Sequence, residues 1–384
     1  MGKQDLVRAV LENAVASGAV AGAVAAVTTA SGTVLEVAAG QQSAEVPAPM
    51  AVDSVFWVAS MTKALTTVAA MQLVEDGRLT LNDPIETILP DLANPMVLEG
   101  FADDGSPITR PARKKITLGQ LLTHTAGFSY DFASADLARY LAVTGTPSAA
   151  TGLKAGLRQP LLFEPGERWE YSIGIDWAGQ AVEAVSGRRL DDYFAAYVTG
   201  PLGMKDTVFQ PGKARDSRRA AMHQRTEDGG LKVVPFDPRP APEFLSGGGG
   251  LYSTAPDYLA FMRMILNQGG DILAPETVEA MGRNQIGKLR AGRIGSANPA
   301  VIAPSDFYPG MDAKWGLGFL LNPAPGPFGR SAGSLTWAGL PNCYYWIDPA
   351  KGIAAVILMQ LLPSGDPGAL KTYAGFEAAV YASL

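Results

Sequence analysis

The sequence predicts a mixed α/β (α+β) fold, an antiparallel sheet flanked by helices and interrupted by an inserted all-helical subdomain. Three observations carry this expectation. Both ends of the chain read as strands. Val20–Thr29 and Thr33–Ala39 lie near the front, and Trp315–Leu321, Ser334–Ala338, Cys343–Ile347 and Gly352–Gln360 near the back, all bounded by Gly, Pro or Asn. The connections between these runs are short, which favours antiparallel pairing. The middle instead shows helical periodicity, in Thr62–Asp76, Leu118–Leu122, Asp176–Val185 and Leu190–Tyr197, with stops at Gly77, Gly127 and Gly187. Early and late strands share one sheet only if the chain returns to its start. Residues 1–80 and 215–384 are therefore assigned to the sheet domain and 81–214 to the helical subdomain.

Along the chain, the residues after Gln4 form an amphipathic helix with no cationic stretch leading into a long apolar one, so no secretion signal is expected and a cytoplasmic location is. Ala19–Val27 is apolar but too short to cross a bilayer, and it runs into the turn signal Thr28-Thr-Ala-Ser-Gly; it reads as a buried strand. Thr254-Ala-Pro-Asp257 opens a helix with a capping box, and the preceding Gly247–Gly250 run lacks the Lys-Ser/Thr of a phosphate loop. The Pro-rich run from Asp237 to Pro242 and the stretch Ile286–Pro309 are long loops of the kind that border sites. Pro367–Leu384 reads as a closing helix.

Composition excludes several function classes. Of 384 residues 47% are hydrophobic and 18% charged, which describes a chain that buries a large core. The net charge of −6, with no basic stretch, argues against nucleic acid as a partner. A single cysteine, Cys343, permits neither an intrachain disulfide nor a multi-thiolate metal site. With only two histidines, His124 and His223, a Ser-His-Asp hydrolase would have to use one of them.

Three segments carry chemistry. Ser60-Met-Thr-Lys63 sets a serine one helical turn before a lysine, so both side chains share a face and the amine reaches the hydroxyl. The turns after Lys63 are apolar nearly all round, which buries the lysine and gives it a task or a partner. Phe163-Glu-Pro-Gly-Glu-Arg-Trp-Glu-Tyr171 ends a Pro-Gly turn on a phenol able to exchange protons with a nearby hydroxyl. Ala332-Gly-Ser-Leu-Thr-Trp337-Ala338-Gly339-Leu340 is a strand ending in small residues, where a backbone N–H can face a developing oxyanion.

In this order and spacing the segments resemble the serine β-lactamase and penicillin-binding superfamily, in its class C-like branch of family VIII carboxylesterases. Leu73-Val-Glu-Asp-Gly-Arg-Leu-Thr-Leu-Asn-Asp-Pro, Ile116-Thr-Leu-Gly-Gln-Leu-Leu-Thr-His-Thr-Ala-Gly and Ser246-Gly-Gly-Gly-Gly-Leu-Tyr-Ser-Thr extend the likeness over most of the chain. The resemblance implies a β-lactamase/transpeptidase-like fold. It makes Ser60 the acylated nucleophile, Lys63 and Tyr171 the proton-transfer pair, and the backbone N–H groups of Ser60 and Leu340 the oxyanion hole. Either Lys63 or Tyr171 can be the base. No metal or organic cofactor is implied.

Two departures narrow the activity. Where the β-lactamases of that superfamily carry Lys-Thr-Gly, this chain has Trp337-Ala338-Gly339; where they place Asn two residues after the tyrosine, it has Ile173. Both changes remove contacts to a charged, amide-bearing lactam, each worth about 1–3 kcal/mol. The expected function is a serine carboxylesterase acting on short-chain or small uncharged esters through an acyl-Ser60 intermediate. The alternatives are a β-lactamase, a D-aminopeptidase or amide hydrolase, an acyltransferase, and a non-catalytic penicillin-binding-like recognition domain.

Trp337, Ala338, Gly339 and Ile173 are expected at the substrate, and Phe128, Tyr130 and Phe132 are assigned either to the pocket or to the core. Gly329-Arg-Ser331-Ala-Gly333 has the form of a nucleophile elbow, but a strand rather than a helix follows it and both histidines lie upstream. His124 is expected to cap carbonyls at a helix end, and Cys343 to be an inert strand residue.

Overall fold

A computed structural model describes residues 3–236 and 242–383; all of the Pro-rich run but Pro242 lies outside the described residues. The elements used below are α1 (Lys3–Ala16), β1 (Gly22–Thr29), β2 (Thr33–Gly40), α2 (Thr62–Glu75), α3 (Leu118–Leu122), α4 (Ala135–Thr144), α5 (Gly174–Ser186), α6 (Leu190–Tyr197) and α7 (Ala255–Leu266). They continue with β3 (Lys314–Trp315), β4 (Leu320–Leu321), β5 (Leu335–Gly339), β6 (Cys343–Asp348), β7 (Ile353–Leu358) and α8 (Pro367–Ala382).

The seven strands form one sheet in the order β3-β4-β5-β6-β7-β1-β2, and every pairing in it is antiparallel. The chain ends meet where β1 pairs with β7, from Val24 opposite Leu358 to Thr29 opposite Ile353. β6 and β7 are buried at every position, which explains their unbroken apolar and aromatic runs. Alternation still sorts the two faces. Ala23, Ala25 and Val27 join Val7 and Leu11 of α1 and Phe376 of α8 in one layer, while Val24 and Ala26 join α2 and α7 in the other. The sheet is thus covered on both sides, and α2 runs through the larger layer with Lys63 among its buried residues.

Two expectations need correction. Trp315–Leu321 is not one strand but a tight hairpin, closed by the Gly316 N–H donating to the Phe319 carbonyl at 2.9 Å. Gly318 sits in the turn at φ +79°, a conformation open to glycine. Residues 81–214 supply no strand to the main sheet among the described residues, yet they are not all helical, because Met96–Phe101 pairs antiparallel with Pro107–Pro111. Asp103-Asp-Gly-Ser between them is a hairpin signal that helical periodicity elsewhere in the segment obscures. No helix among the described residues is long and apolar enough to cross a membrane.

Candidate active site

Ser60 lies in a single 3-10 turn, Ala59–Met61, that leads directly into α2. Ala59 is held at φ +45°, a costly conformation for a residue with a Cβ, and the surroundings fix it. Thr62 Oγ1 donates to the Ala59 carbonyl at 2.6 Å and accepts the Leu251 N–H at 3.0 Å, while the Val58 N–H donates to the Leu251 carbonyl. The segment after the glycine run is therefore laced onto the serine turn, and the run itself packs its backbone beside the site, with the Gly247 and Gly248 carbonyls accepting from Thr66 and Lys63.

Lys63 is fully buried, and its three ammonium hydrogens have three acceptors: Ser60 Oγ at 3.3 Å, Tyr130 Oη at 3.0 Å and the Gly248 carbonyl at 2.6 Å. Its Nζ also lies 4.6 Å from the centre of the Tyr171 ring. Behind it sits a carboxylate that sequence reasoning missed. Asp176, in the first turn of α5, accepts from Tyr130 Oη at 3.3 Å through Oδ2, and from Ser246 Oγ at 2.6 Å and the Gly248 N–H at 3.0 Å through Oδ1. Burial, followed by the Asp176 charge, holds the Tyr130 phenol well above its usual range, so it stays protonated and relays a donor from lysine to carboxylate. Charge on Lys63 is thereby balanced through one intervening hydroxyl. Asp176→Asn removes that charge and leaves one carbonyl oxygen to serve donors from Tyr130, Ser246 and Gly248. It is expected to cost about 1–3 kcal/mol of stability, read as a lower urea midpoint at unchanged slope.

Tyr171 reaches the same place from the turn ahead of α5. Its Oη accepts the Trp337 indole N–H at 3.4 Å, and the two rings are 4.9 Å apart. Trp337 is therefore more than the apolar wall the sequence suggests, since it offers a donor to negative charge on that oxygen. β5 brings Trp337, Ala338 and Gly339 against the serine turn. A Cβ on Gly339 would stand 2.3 Å from the Val58 carbonyl, so a larger residue there would push strand and turn apart. The next residue, Leu340, lines the Ser60 cleft. The turn that follows is pinned by Asn342, fully buried, which donates to the Leu361 and Pro363 carbonyls and accepts from Tyr344 Oη and the Gly365 N–H.

Ser60, Tyr171, Trp337, Ala338, Gly339 and Leu340 thus share one cleft of about 350 Å³. Its far wall comes from the loop Ile286–Pro309, through Ile294, Ile302 and residues 304–307, as expected of a long loop bordering a site. Phe132 joins the wall.

Other candidate residues fall elsewhere. Phe128 and Ile173 are buried in the core, and Tyr130 serves Lys63 rather than lining the cleft. The chain from α3 to α5 packs under the site and turns Phe128 and Ile173 into the core. His124 does not cap carbonyls with its ring. Its backbone turns left-handed at φ +57°, and the imidazole is buried among Trp169, Tyr171 and Trp315, with Nδ1 3.1 Å from Ser172 Oγ. Burial and the Lys63 charge push it well below its usual range, so it is neutral. Cys343 is buried, its thiol pushed up to about 12 by desolvation. Ser331 lies outside the Ser60 cleft in a turn leading into β5, its N–H bound to Asp348 Oδ2 at 2.9 Å.

Known proteins share this arrangement of elements. Monacolin J acid methylbutanoyltransferase of Aspergillus terreus is 35% identical over 346 residues, spanning 87% of this chain and 83% of its own. Lovastatin esterase of Penicillium rubens is 33% identical over 342 residues, 83% of either chain. The unliganded simvastatin synthase (LovD) of Aspergillus terreus superposes over 100% of this chain and 98% of its own, with TM-score 0.86 at 31% identity. Transferase and hydrolase relatives of this kind place the protein among acyl-serine hydrolases and transferases. With the Beta-lactamase family model matching residues 7–380, nearly the whole chain, the protein belongs to the Beta-lactamase family.

Proposed function

We propose that this protein is a serine carboxylesterase that hydrolyses small uncharged carboxylic esters through an acyl-Ser60 intermediate. The observation that carries the choice of substrate is the charge of the cleft. No lysine or arginine is among its lining residues, and the charged group that does line it is Asp306. Asp306 is itself paired with Arg290 and Arg293, so a substrate carboxylate would meet no unpaired cation on these walls.

The 3.3 Å contact between Lys63 Nζ and Ser60 Oγ supports the following chemistry. Ser60 Oγ attacks the ester carbonyl carbon, and its proton passes to Lys63 in its neutral amine form or to Tyr171 in its phenolate form. The new C–O bond places negative charge on the carbonyl oxygen, toward the backbone N–H groups of Ser60 and Leu340. Collapse breaks the bond to the alkoxy group, which leaves as the alcohol with the transferred proton. Water then attacks the acyl carbon by the same proton route, giving the acid and restoring the Ser60 hydroxyl.

A second reading has a specific observation in its favour. The relative named as a methylbutanoyltransferase covers the chain as fully as the esterase does. In this reading a second alcohol takes the place of water.

A panel tests both. With 4-nitrophenyl acetate or butyrate, turnover is expected to exceed that of nitrocefin by orders of magnitude, and added alcohols are expected to leave free acid as the main product. Faster nitrocefin turnover would reverse the substrate assignment. Ester formation outrunning hydrolysis at millimolar alcohol would make the protein a transferase.

A further inference from the structure

Next to the Ser60 cleft lies a second cavity of about 520 Å³, and Phe307 and Tyr373 belong to the walls of both. Each of these two residues is stacked on an aromatic side chain of the Ser60 cleft. On one side Phe307 stacks on Trp337, with centroids 4.7 Å and planes 18° apart; on the other Tyr373 stacks on Tyr344 at 4.4 Å and 14°. The second cavity is lined by apolar groups such as Met311, Pro325, Phe328 and Ala374, and Phe328 is 42% exposed although it is aromatic. Its polar end carries no net charge. Arg330 Nη2 lies 2.7 Å from Glu377 Oε2 and Nε 3.2 Å from Oε1, and Arg330 also donates to the hydroxyls of Tyr308 and Tyr373. A charged ligand would have to break that buried pair, whereas a hydrocarbon need not.

We propose that the second cavity is a subsite of the same active site and holds the long, uncharged, apolar arm of an ester whose carbonyl lies at Ser60. This rests on the ester reading above and extends it from small esters to long ones. The first cleft is near the lower size of small-molecule sites, roughly 300 Å³, whereas the two together suit a drug-sized ligand. Phe307, between them, sets how large an arm can pass.

The test reads binding, so it does not depend on turnover. In a Ser60→Ala background, affinities for 4-nitrophenyl acetate, 4-nitrophenyl decanoate and decyl acetate are measured by calorimetry, the last two carrying the long arm on the acyl or the alcohol side. Ala374→Trp, which fills the second cavity from α8, is expected to weaken one of the long esters about tenfold or more and to leave the nitrophenyl acetate affinity unchanged. Phe307→Ala is expected to strengthen the same long ester relative to nitrophenyl acetate, and decides the matter should Ala374→Trp not fold. Unchanged affinity for both long esters in the folded variants would overturn the subsite. Hydrolysis by the wild-type chain tests the ester reading separately, because binding discrimination without turnover would sink that reading and leave the subsite standing.

Discussion

Ser60→Ala is expected to abolish ester turnover, with kcat falling by about 10³ or more, while the protein keeps its fold and its affinity for substrate. The fold survives because Ser60 Oγ is one of three acceptors around Lys63, and the Gly248 carbonyl and Tyr130 Oη remain in place. The serine turn is held by Thr62 and the Leu251 backbone, not by the serine hydroxyl. Turnover disappears because no other serine of the cleft adjoins the lysine: Ser305 and Ser364 lie on its walls, but neither is bound to Lys63. Ser331→Ala is the matching control and is expected to keep wild-type rates. A dead Ser331→Ala together with an active Ser60→Ala would move the nucleophile to the opposite end of β5.

Tyr171→Phe has the next largest expected effect, a fall in kcat of about 10²–10⁴ with KM little changed, the range for losing a proton-transfer group. The ring stays, and with it the packing against His124, Tyr130 and Trp337 at centroid distances of 4.9–5.1 Å. The loss is confined to one oxygen. That oxygen is the acceptor of the Trp337 indole N–H, so the variant also leaves a buried donor unpaired, at about 1–3 kcal/mol. Steady-state kinetics with 4-nitrophenyl butyrate beside a urea unfolding curve separates the two losses. A variant with near-wild-type kcat would take Tyr171 out of the mechanism and leave proton transfer to Lys63.

Much of this molecule is legible in its sequence, and the parts that are not share a cause. Ser60 and Lys63 are found because one helical turn relates them, and Trp337 to Leu340 because a strand end with small residues has a local signature. That early and late strands share one sheet is legible too, and β1 indeed pairs with β7, whereas the order of the strands is not. Asp176 escapes notice because an acidic residue in the first turn of a helix has an ordinary reason to be there, the helix dipole. Its role appears only once Gly248 and Ser246, some seventy residues on, are brought onto its Oδ1. Phe128 and Ile173 mislead in the opposite way. They are close to site residues along the chain, but the side-chain direction at each position is set by how α3 and α5 pack under the cleft, which no short motif records. Tyr130 combines the two difficulties, being an aromatic near a helix stop whose hydroxyl, not its ring, is what the site uses.

An acyl-Ser60 intermediate leaves a covalent bond on the chain that can be caught directly. The protein is mixed with 4-nitrophenyl butyrate, quenched in acid within the first turnover, digested and analysed by peptide mass spectrometry. One butyryl group is expected, on the peptide carrying Ser60, absent from Ser60→Ala. Nitrophenol release with the butyryl group on another residue, or with none on the chain, would contradict it.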